Sequence, residues 1–274
     1  MPIVTISGGS YCGGEAVASG VARLLGHRFA PREVIYGPVA RDWGVSAEEF
    51  IAAMERRRPI WGRVTGNRTD HVKRLRTALS EFARGGKVVY YGYLGHLLLP
   101  PDARVLRVRI ITDRDTRLQA AMQRQGISRV EAARHLDKVD SGRREWTRFL
   151  FDVDWDDPAQ FDFVLNRDRL SIASACELVA QIAVRPEFLE TGSSLQAVDD
   201  MALASQVEMA LHREPRTTGV ALHVTANDGI VTISGKTQSL TAVEAVSRIV
   251  AQMEGVRELK NEVEFTGELM SVPY

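Results

Sequence analysis

Four glycines fall within seven residues near the start of the chain, Gly8, Gly9, Gly13 and Gly14, with Ser10 between them and Glu15 directly after. Ile3, Val4 and Ile6 precede them as a short apolar run of the kind a buried parallel strand carries. Val17, Val21, Leu24 and Leu25 follow at i, i+4, i+7 and i+8, one face of a helix laid on a sheet. A strand, a glycine loop and a helix in that order aim backbone N–H groups and the positive end of a helix dipole at one point, where a phosphate group is stabilised. Against the pattern Gly-x-x-x-x-Gly-Lys-Ser/Thr, the chain matches at Gly8 and Gly13. It then has Gly14 in place of the lysine and Glu15 in place of the magnesium-binding hydroxyl. The alternative is a glycine-rich turn that binds nothing. Each glycine costs about 0.5–1 kcal/mol against alanine in regular structure, so a tight cluster points to close approach of a ligand or another element. Cys12 inside the loop is either a reactive thiol or a small side chain that fits there.

The other chemistry-bearing groups are cationic. Arg56, Arg57, Arg58, Arg63 and Arg68 surround Trp61, either as a solvated connection or as a second phosphate site, because guanidinium forks match phosphate oxygens bidentately. Lys138, Arg143 and Arg148 recur at five-residue intervals in a helical run that opens at Ser128. Such a run is ordinarily a solvated helix face. The functional alternative is a lid that brings arginines onto a transferring phosphoryl group and expels water. Cys12 and Cys176 have no spacing for a disulfide framework or a zinc site, and His71, His96, His135 and His223 read as packing residues. No magnesium-binding carboxylate stands out beside the loop; Glu15 and Asp113 are the candidates.

The elements that must position these groups read as strands separated by helices. Residues 88–91 form a second apolar run that ends in Gly92 and Gly95, residues 105–111 a third that closes at Thr112 and Asp113, and residues 161–166 a last one before a helix over 171–183. Val72, Leu75, Leu79 and Phe82 mark one face of a helix, and Ser46 with Glu49 has capping-box spacing. Residues 32–35 read only as a short segment. This order implies a parallel sheet with right-handed crossovers, and ligands in such sheets bind beyond the carboxyl ends of the strands. The glycine loop, Gly92 and Asp113 all fall on that edge.

The chain has 274 residues, 45% of them hydrophobic, enough for one medium domain and a small one. Its zero net charge divides unevenly: from Thr191 onward there are eleven acidic and six basic residues, which leaves 24 acidic and 29 basic before it. The front is mildly cationic, as suits a phosphate-rich ligand, and neither excess is large enough for nucleic acid. No apolar stretch is long enough to span a bilayer and no secretory signal opens the chain, so the expected location is cytoplasmic. Pro, Thr, Gly and Ser punctuate residues 186–194. Beyond them come a helix through Val198, Met201, Ala204, Val207 and Leu211, a hairpin turning at Asp228-Gly229, a helix capped by Thr241 and Glu244, and an alternating strand to Phe265.

Two resemblances follow from these motifs in their order. Ile6-Ser7 with Gly13-Gly14, the strand ending at Gly92, Lys138-Val-Asp140 with Arg143 and Arg148, Val153-Asp-Trp155-Asp-Asp-Pro158 and Phe161-Asp-Phe-Val-Leu-Asn166 resemble the cytidylate-kinase-like family of P-loop nucleoside monophosphate kinases. The resemblance covers residues 1–185. It implies an α/β fold, a parallel sheet of about five strands with helices on both faces, and transfer of the γ-phosphoryl of ATP, with magnesium, to a nucleoside monophosphate such as CMP. Carried over by position, Gly13 and Gly14 with Ser10 would cradle the donor phosphates through backbone N–H groups, Gly8, Gly9 and Glu15 would also be nucleotide-binding, and Arg117 would lie near the nucleotide. Gly92 and Tyr93 would border the acceptor, and Arg143 and Arg148 would be lid arginines. The chain departs from the family at Gly8-Gly9, where Arg-Glu is usual, and at Tyr93, where an arginine is usual. Residues 197–267 resemble a BON domain, a small α+β module associated with lipid, small-ligand or protein contacts; residues 186–196 would be a linker and 268–274 a tail. Two functions are therefore expected: a nucleotide kinase with a regulatory or localising module, or a degenerate kinase fold that binds nucleotide as a sensor and signals through that module.

Overall fold

The computed structural model describes residues 2–42, 46–54 and 68–267. The arginine-rich stretch expected as a phosphate site lies outside the described residues, apart from the backbone of Arg68. The chain divides into two compact units, Met1–Leu195 and Gln196–Tyr274.

The first unit runs β1 (Ile3–Gly8), α1 (Gly14–Leu25), β2 (Arg28–Pro31), α2 (Arg32–Asp42), α3 (Ala47–Met54), α4 (Arg68–Ala83), β3 (Val88–Tyr91), α5 (Gly95–Leu98), β4 (Val105–Ile111), α6 (Arg114–Gln125), α7 (Arg129–Phe151), β5 (Phe163–Asn166) and α8 (Ile172–Ala183). The five strands form one sheet in the order β2-β3-β1-β4-β5, and every pair is parallel. β1 is buried along its whole length, paired from Val4↔Val89 to Ile6↔Tyr91 on one side and from Ile3↔Val105 to Gly8↔Ile110 on the other. The chain goes to β2 and β3 on one side of β1 and returns to β4 and β5 on the other. The glycine loop therefore leaves the sheet at its topological switch point, where a crevice opens.

The two faces of this sheet differ in chemistry because side chains alternate along a strand. Val4, Ile6, Val89, Leu106, Val108, Ile110 and Leu165 pack against Val17, Ala18 and Val21 of α1 and Ala175, Cys176 and Val179 of α8 in one apolar cluster. The opposite positions include Thr5, Ser7, Tyr90 and Arg109, all buried and polar or phenolic.

One expectation about the strands is corrected here. Residues 28–31 form an edge strand and residues 32–42 a helix, where the sequence reading has only a short segment at 32–35. An edge strand with a single fully buried side chain, Ala30, and a terminal proline carries no alternation to read. Within residues 186–196, expected as a linker, Arg104 donates to the carbonyls of Pro186 and Leu189 at 3.1 and 3.2 Å and α9 (Gly192–Arg213) begins. The Ser46–Glu49 capping box is present with both bonds, at 2.9 and 3.1 Å.

The second unit contains most of α9, then β6 (Leu222–Asn227), β7 (Ile230–Thr237), α10 (Leu240–Val250) and β8 (Glu258–Phe265). β6 and β7 pair antiparallel across the Asp228-Gly229 turn, whose two residues both have positive φ, 49° and 77°, as a tight hairpin of this length requires. β8 joins β7 in parallel, and Val207, Val231, Ile233, Val246 and Val250 are buried in the core between sheet and helices. The cap of α10 is Ser239, whose hydroxyl accepts from the Ala242 N–H at 3.2 Å, not Thr241 with Glu244. His223 is exposed on β6 and does not pack.

Helices α1 and α8 meet at Gly20, where an added Cβ would stand 2.4 Å from the Cys176 sulfur. Glycine to alanine inside an exposed helix is normally stabilising by about 1 kcal/mol. Gly20→Ala is expected to do the opposite, lowering stability by about 1–3 kcal/mol through overpacking, and Gly20→Ala with Cys176→Ala to recover most of it, as read by urea unfolding.

Candidate functional site

The carboxyl edge of β1 opens into the loop at residues 9–13, and Gly13, with φ 80°, is the residue before α1. The residue before this helix is a glycine and supplies no side-chain cap, so the first-turn N–H groups keep the positive end of the helix dipole at the loop. Cys12 points the other way. It is 1% exposed within the apolar cluster, and burial pushes its thiol up despite the Gly14 N–H and the guanidiniums of Arg117, Arg143 and Arg167 nearby. It is a packed small side chain and not a reactive thiol.

Above the loop lies a cavity of about 350 Å³ lined by Ser10, Tyr11, Glu15, Arg32, Glu33, Tyr91, Arg124, Gln125, His135 and Arg143. It joins the glycine loop to the start of α2, the end of β3 and the α6–α7 pair. Three guanidiniums and two carboxylates meet here, so its walls are polar and weighted toward cations. Arg32 sits at the start of α2 and its Nε donates to the neighbouring Glu33 at 3.0 Å. Tyr11 has a left-handed φ of 64°, costly for a residue with a side chain. Its ring packs against the α6–α7 cluster of Leu118, Ala121, Ala132 and Leu136, and its hydroxyl accepts from Gln125 and contacts His135 at 3.4 Å.

The structure separates the expected lid arginines. Arg143 is 5% exposed, its Nη1 donates to the Gly8 carbonyl at 2.9 Å, and its Cζ lies 5.4 Å from the centroid of the Tyr93 ring. Arg148 and Lys138 are exposed on the same continuous 23-residue helix α7. Five residues along a helix is a turn of about 140°, so Arg148 and Arg143 face different ways and do not converge. Arg117 is where a nucleotide-side residue was expected, but both its ends are occupied: Nε donates to the Ser10 carbonyl at 2.9 Å, and Nη2 to the Asp140 carboxylate at 2.9 Å.

Gly92 and Tyr93, expected beside the acceptor, are not among the residues lining the cavity; Tyr91 is. Gly92 donates its N–H to the Ile6 carbonyl at 3.1 Å, and a Cβ there would stand 2.1 Å from the Tyr90 hydroxyl. Tyr93 is buried as the aromatic surface beside Arg143, an interaction worth roughly 0.5–2 kcal/mol. Burial pushes the Tyr91 phenol up to about 12. Of the two magnesium candidates, Glu15 lines the cavity, whereas Asp113 is the cap of α6, accepting from Thr116 N and Oγ1 at 2.8 and 2.6 Å, and those bonds hold its carboxyl below the usual range. Among the described residues no group of three metal-ligating side chains occurs.

Arg32, Asp140 and Arg167 were not singled out as site residues. Arg167 follows the end of β5 and so lies on the same carboxyl edge, the one signal that could have marked it.

Residues 3–169 match the profile of the cytidylate kinase-like family, more than half of the chain. The chain belongs to the cytidylate kinase-like family. Residues 199–267 match the BON domain. The family unit is similar to a cytidylate kinase of Pyrobaculum calidifontis, 26% identical over 172 residues that cover 63% of this chain and 87% of that protein. It is also similar to one of Pyrobaculum aerophilum, 24% identical over 178 residues, 65% of this chain and 90% of that protein. An uncharacterised protein of Eubacterium ventriosum shares the fold with a TM-score of 0.51 at 18% identity, over 68% of this chain and all of that one. In this family member no helix among the described residues is long and apolar enough to cross a membrane.

His96 of α5 is 9% exposed and its ring packs against Phe161 at 4.5 Å with the two planes tilted by 40°. Burial first, and then the positive charges of Arg109 and Arg107, lower its pKa from 6.5 to about 3. The unfolded imidazole takes up a proton near 6.5 and the folded one only near 3. Stability supplied by this group is thus complete above the unfolded value and lost as pH falls toward the folded one. Between pH 7 and about pH 4.5 the loss is on the order of 2–3 kcal/mol, and His96→Gln is expected to remove that part of the acid sensitivity in unfolding curves at the two pH values.

Proposed function

We propose that the first unit is a nucleoside monophosphate kinase that moves the γ-phosphoryl of ATP to CMP or a close relative. The observation that carries this is the uncapped N-terminus of α1, with its glycine loop at the switch point of the sheet, opening onto a cavity whose wall includes Arg32, Arg124 and Arg143. An uncapped helix end and guanidiniums around one space fit a polyphosphate chemically, because each supplies donors or positive charge to phosphate oxygens. Phosphoryl transfer asks little covalent chemistry of a protein and much positioning and charge stabilisation, which this donor set provides.

The loop would hold donor phosphates through its N–H groups. Arg143, fixed between the Gly8 carbonyl and the Tyr93 ring, would stabilise charge on the transferring group from a preorganised position. Arg32, also on the cavity wall, would hold the acceptor phosphate. Magnesium, when bound with the nucleotide, neutralises charge on the phosphate oxygens; it usually takes one or two carboxylates with several waters, and Glu15 fits that need as a single protein ligand. The BON unit would regulate or localise the enzyme through a protein or small-ligand partner.

ATP with magnesium and a panel of nucleoside monophosphates tests this directly. Transfer to CMP is expected, and Arg143→Ala should lower kcat/KM by about two orders of magnitude or more. Calorimetric binding of ATP without transfer to any acceptor would overturn the kinase and leave a nucleotide-binding sensor.

A further inference from the structure

A glycine loop has few means of holding its own shape, and this one is gripped by three guanidiniums from distant parts of the chain. Arg143 of α7 donates to the Gly8 carbonyl at 2.9 Å, Arg117 of α6 to the Ser10 carbonyl at 2.9 Å, and Arg167, just past β5, to the Cys12 carbonyl at 2.8 Å. The carbonyls between and beyond are also engaged, Gly9 by the Cys12 N–H at 3.3 Å and Gly13 by the Val17 N–H at 3.1 Å. In a trans peptide the C=O of one residue and the N–H of the next point in opposite directions. Fixing the carbonyls of 8, 10 and 12 therefore also fixes the directions of the N–H groups of 9, 11 and 13.

Two of the glycines are explained by the arginines themselves. A Cβ at Gly9 would stand 2.7 Å from Arg117 Cζ, and one at Gly13, where φ is 80°, would stand 3.0 Å from Arg167 Nε. Arg117 cannot move aside cheaply, because the buried Asp140 carboxylate holds its other end, with side chains 14% and 9% exposed. The glycine cluster is thus shaped by guanidiniums that come close to its backbone.

Resting on the phosphate-site assignment above, we infer that Arg117, Arg143 and Arg167 clamp the loop, and that Arg167 is a positioning residue that presets the phosphate-binding N–H groups in a loop with Gly14 at the lysine position of the phosphate-loop pattern. Its positive charge lies close enough to the loop to favour an anion there, and its geometric effect is made before any ligand arrives. The clamp acts on the phosphate end of a nucleotide and not on its base or sugar.

Arg167→Gln and Arg167→Lys separate this from a structural role and from a direct ligand contact. Amide hydrogen exchange at residues 9–14 is measured without nucleotide, and calorimetry compares ATP with adenosine. Arg167→Gln is expected to speed exchange in the loop and weaken ATP about tenfold, leave adenosine binding unchanged, and raise the KM for ATP more than that for the acceptor; Arg167→Lys should restore part of the ATP affinity. Unchanged loop exchange overturns the clamp, including when ATP affinity falls, since that pattern is a direct contact. An equal loss for ATP and adenosine also overturns it. If the wild-type protein binds ATP but Arg167→Gln binds it equally well, the inference fails and the kinase assignment stands. If the wild-type protein binds no nucleotide, that assignment fails, and the loop exchange alone decides the clamp.

Discussion

Backbone conformation at a phosphate loop has to be imposed, because glycines contribute no side chains to impose it and lose the most freedom when fixed. Here the imposing groups are guanidiniums on carbonyl oxygens, bonds to a charged donor that are each worth roughly 1.5–3 kcal/mol. They tie the loop to α6, α7 and the segment after β5 at once. Asp140 extends the arrangement by fixing Arg117, so a carboxylate that touches no loop atom still bears on loop geometry.

The sheet supplies the other half of the positioning. β1 is buried along its length and held by β3 as far as Ile6 and by β4 as far as Gly8, so the loop leaves a fixed strand end. One face is wholly apolar against α1 and α8. The other buries Thr5, Ser7, Tyr90 and Arg109, and Arg109 is shielded between the Trp155 and Phe161 rings, 4.6 and 5.4 Å away, with Asp156 as its ion partner at 2.7 Å. Burial lowers its pKa while the Asp156 charge opposes that shift. The polar face thus keeps buried cations paired and leaves the cations at the cavity wall nearer the space a ligand would enter.

Several features were legible in the chain itself. Apolar runs bounded by glycine or Asp marked β1, β3 and β4, because strands buried on both faces need continuous hydrophobicity. The strand–glycine–helix order placed the loop, and Asp228-Gly229 placed the hairpin, since both depend on backbone chemistry that is local. β2 was not legible because an edge strand of four residues buries too little to leave a pattern. The even spacing of Lys138, Arg143 and Arg148 gave a false convergence: on one unbroken helix a five-residue step rotates side chains apart.

What the sequence by itself determined was local and periodic: which stretches are strand or helix, that a loop of glycines follows the first strand, and that a second small unit follows the first. Only tertiary structure decided which cations meet the loop. Arg117, Arg143 and Arg167 are 26 and 24 residues apart in the chain and are brought to alternate carbonyls by parallel crossovers that return each element to the same sheet edge. The reason is physical: hydrophobic periodicity sets how an element lies on the sheet, whereas the partner of a long charged side chain is set by what the fold places within its reach.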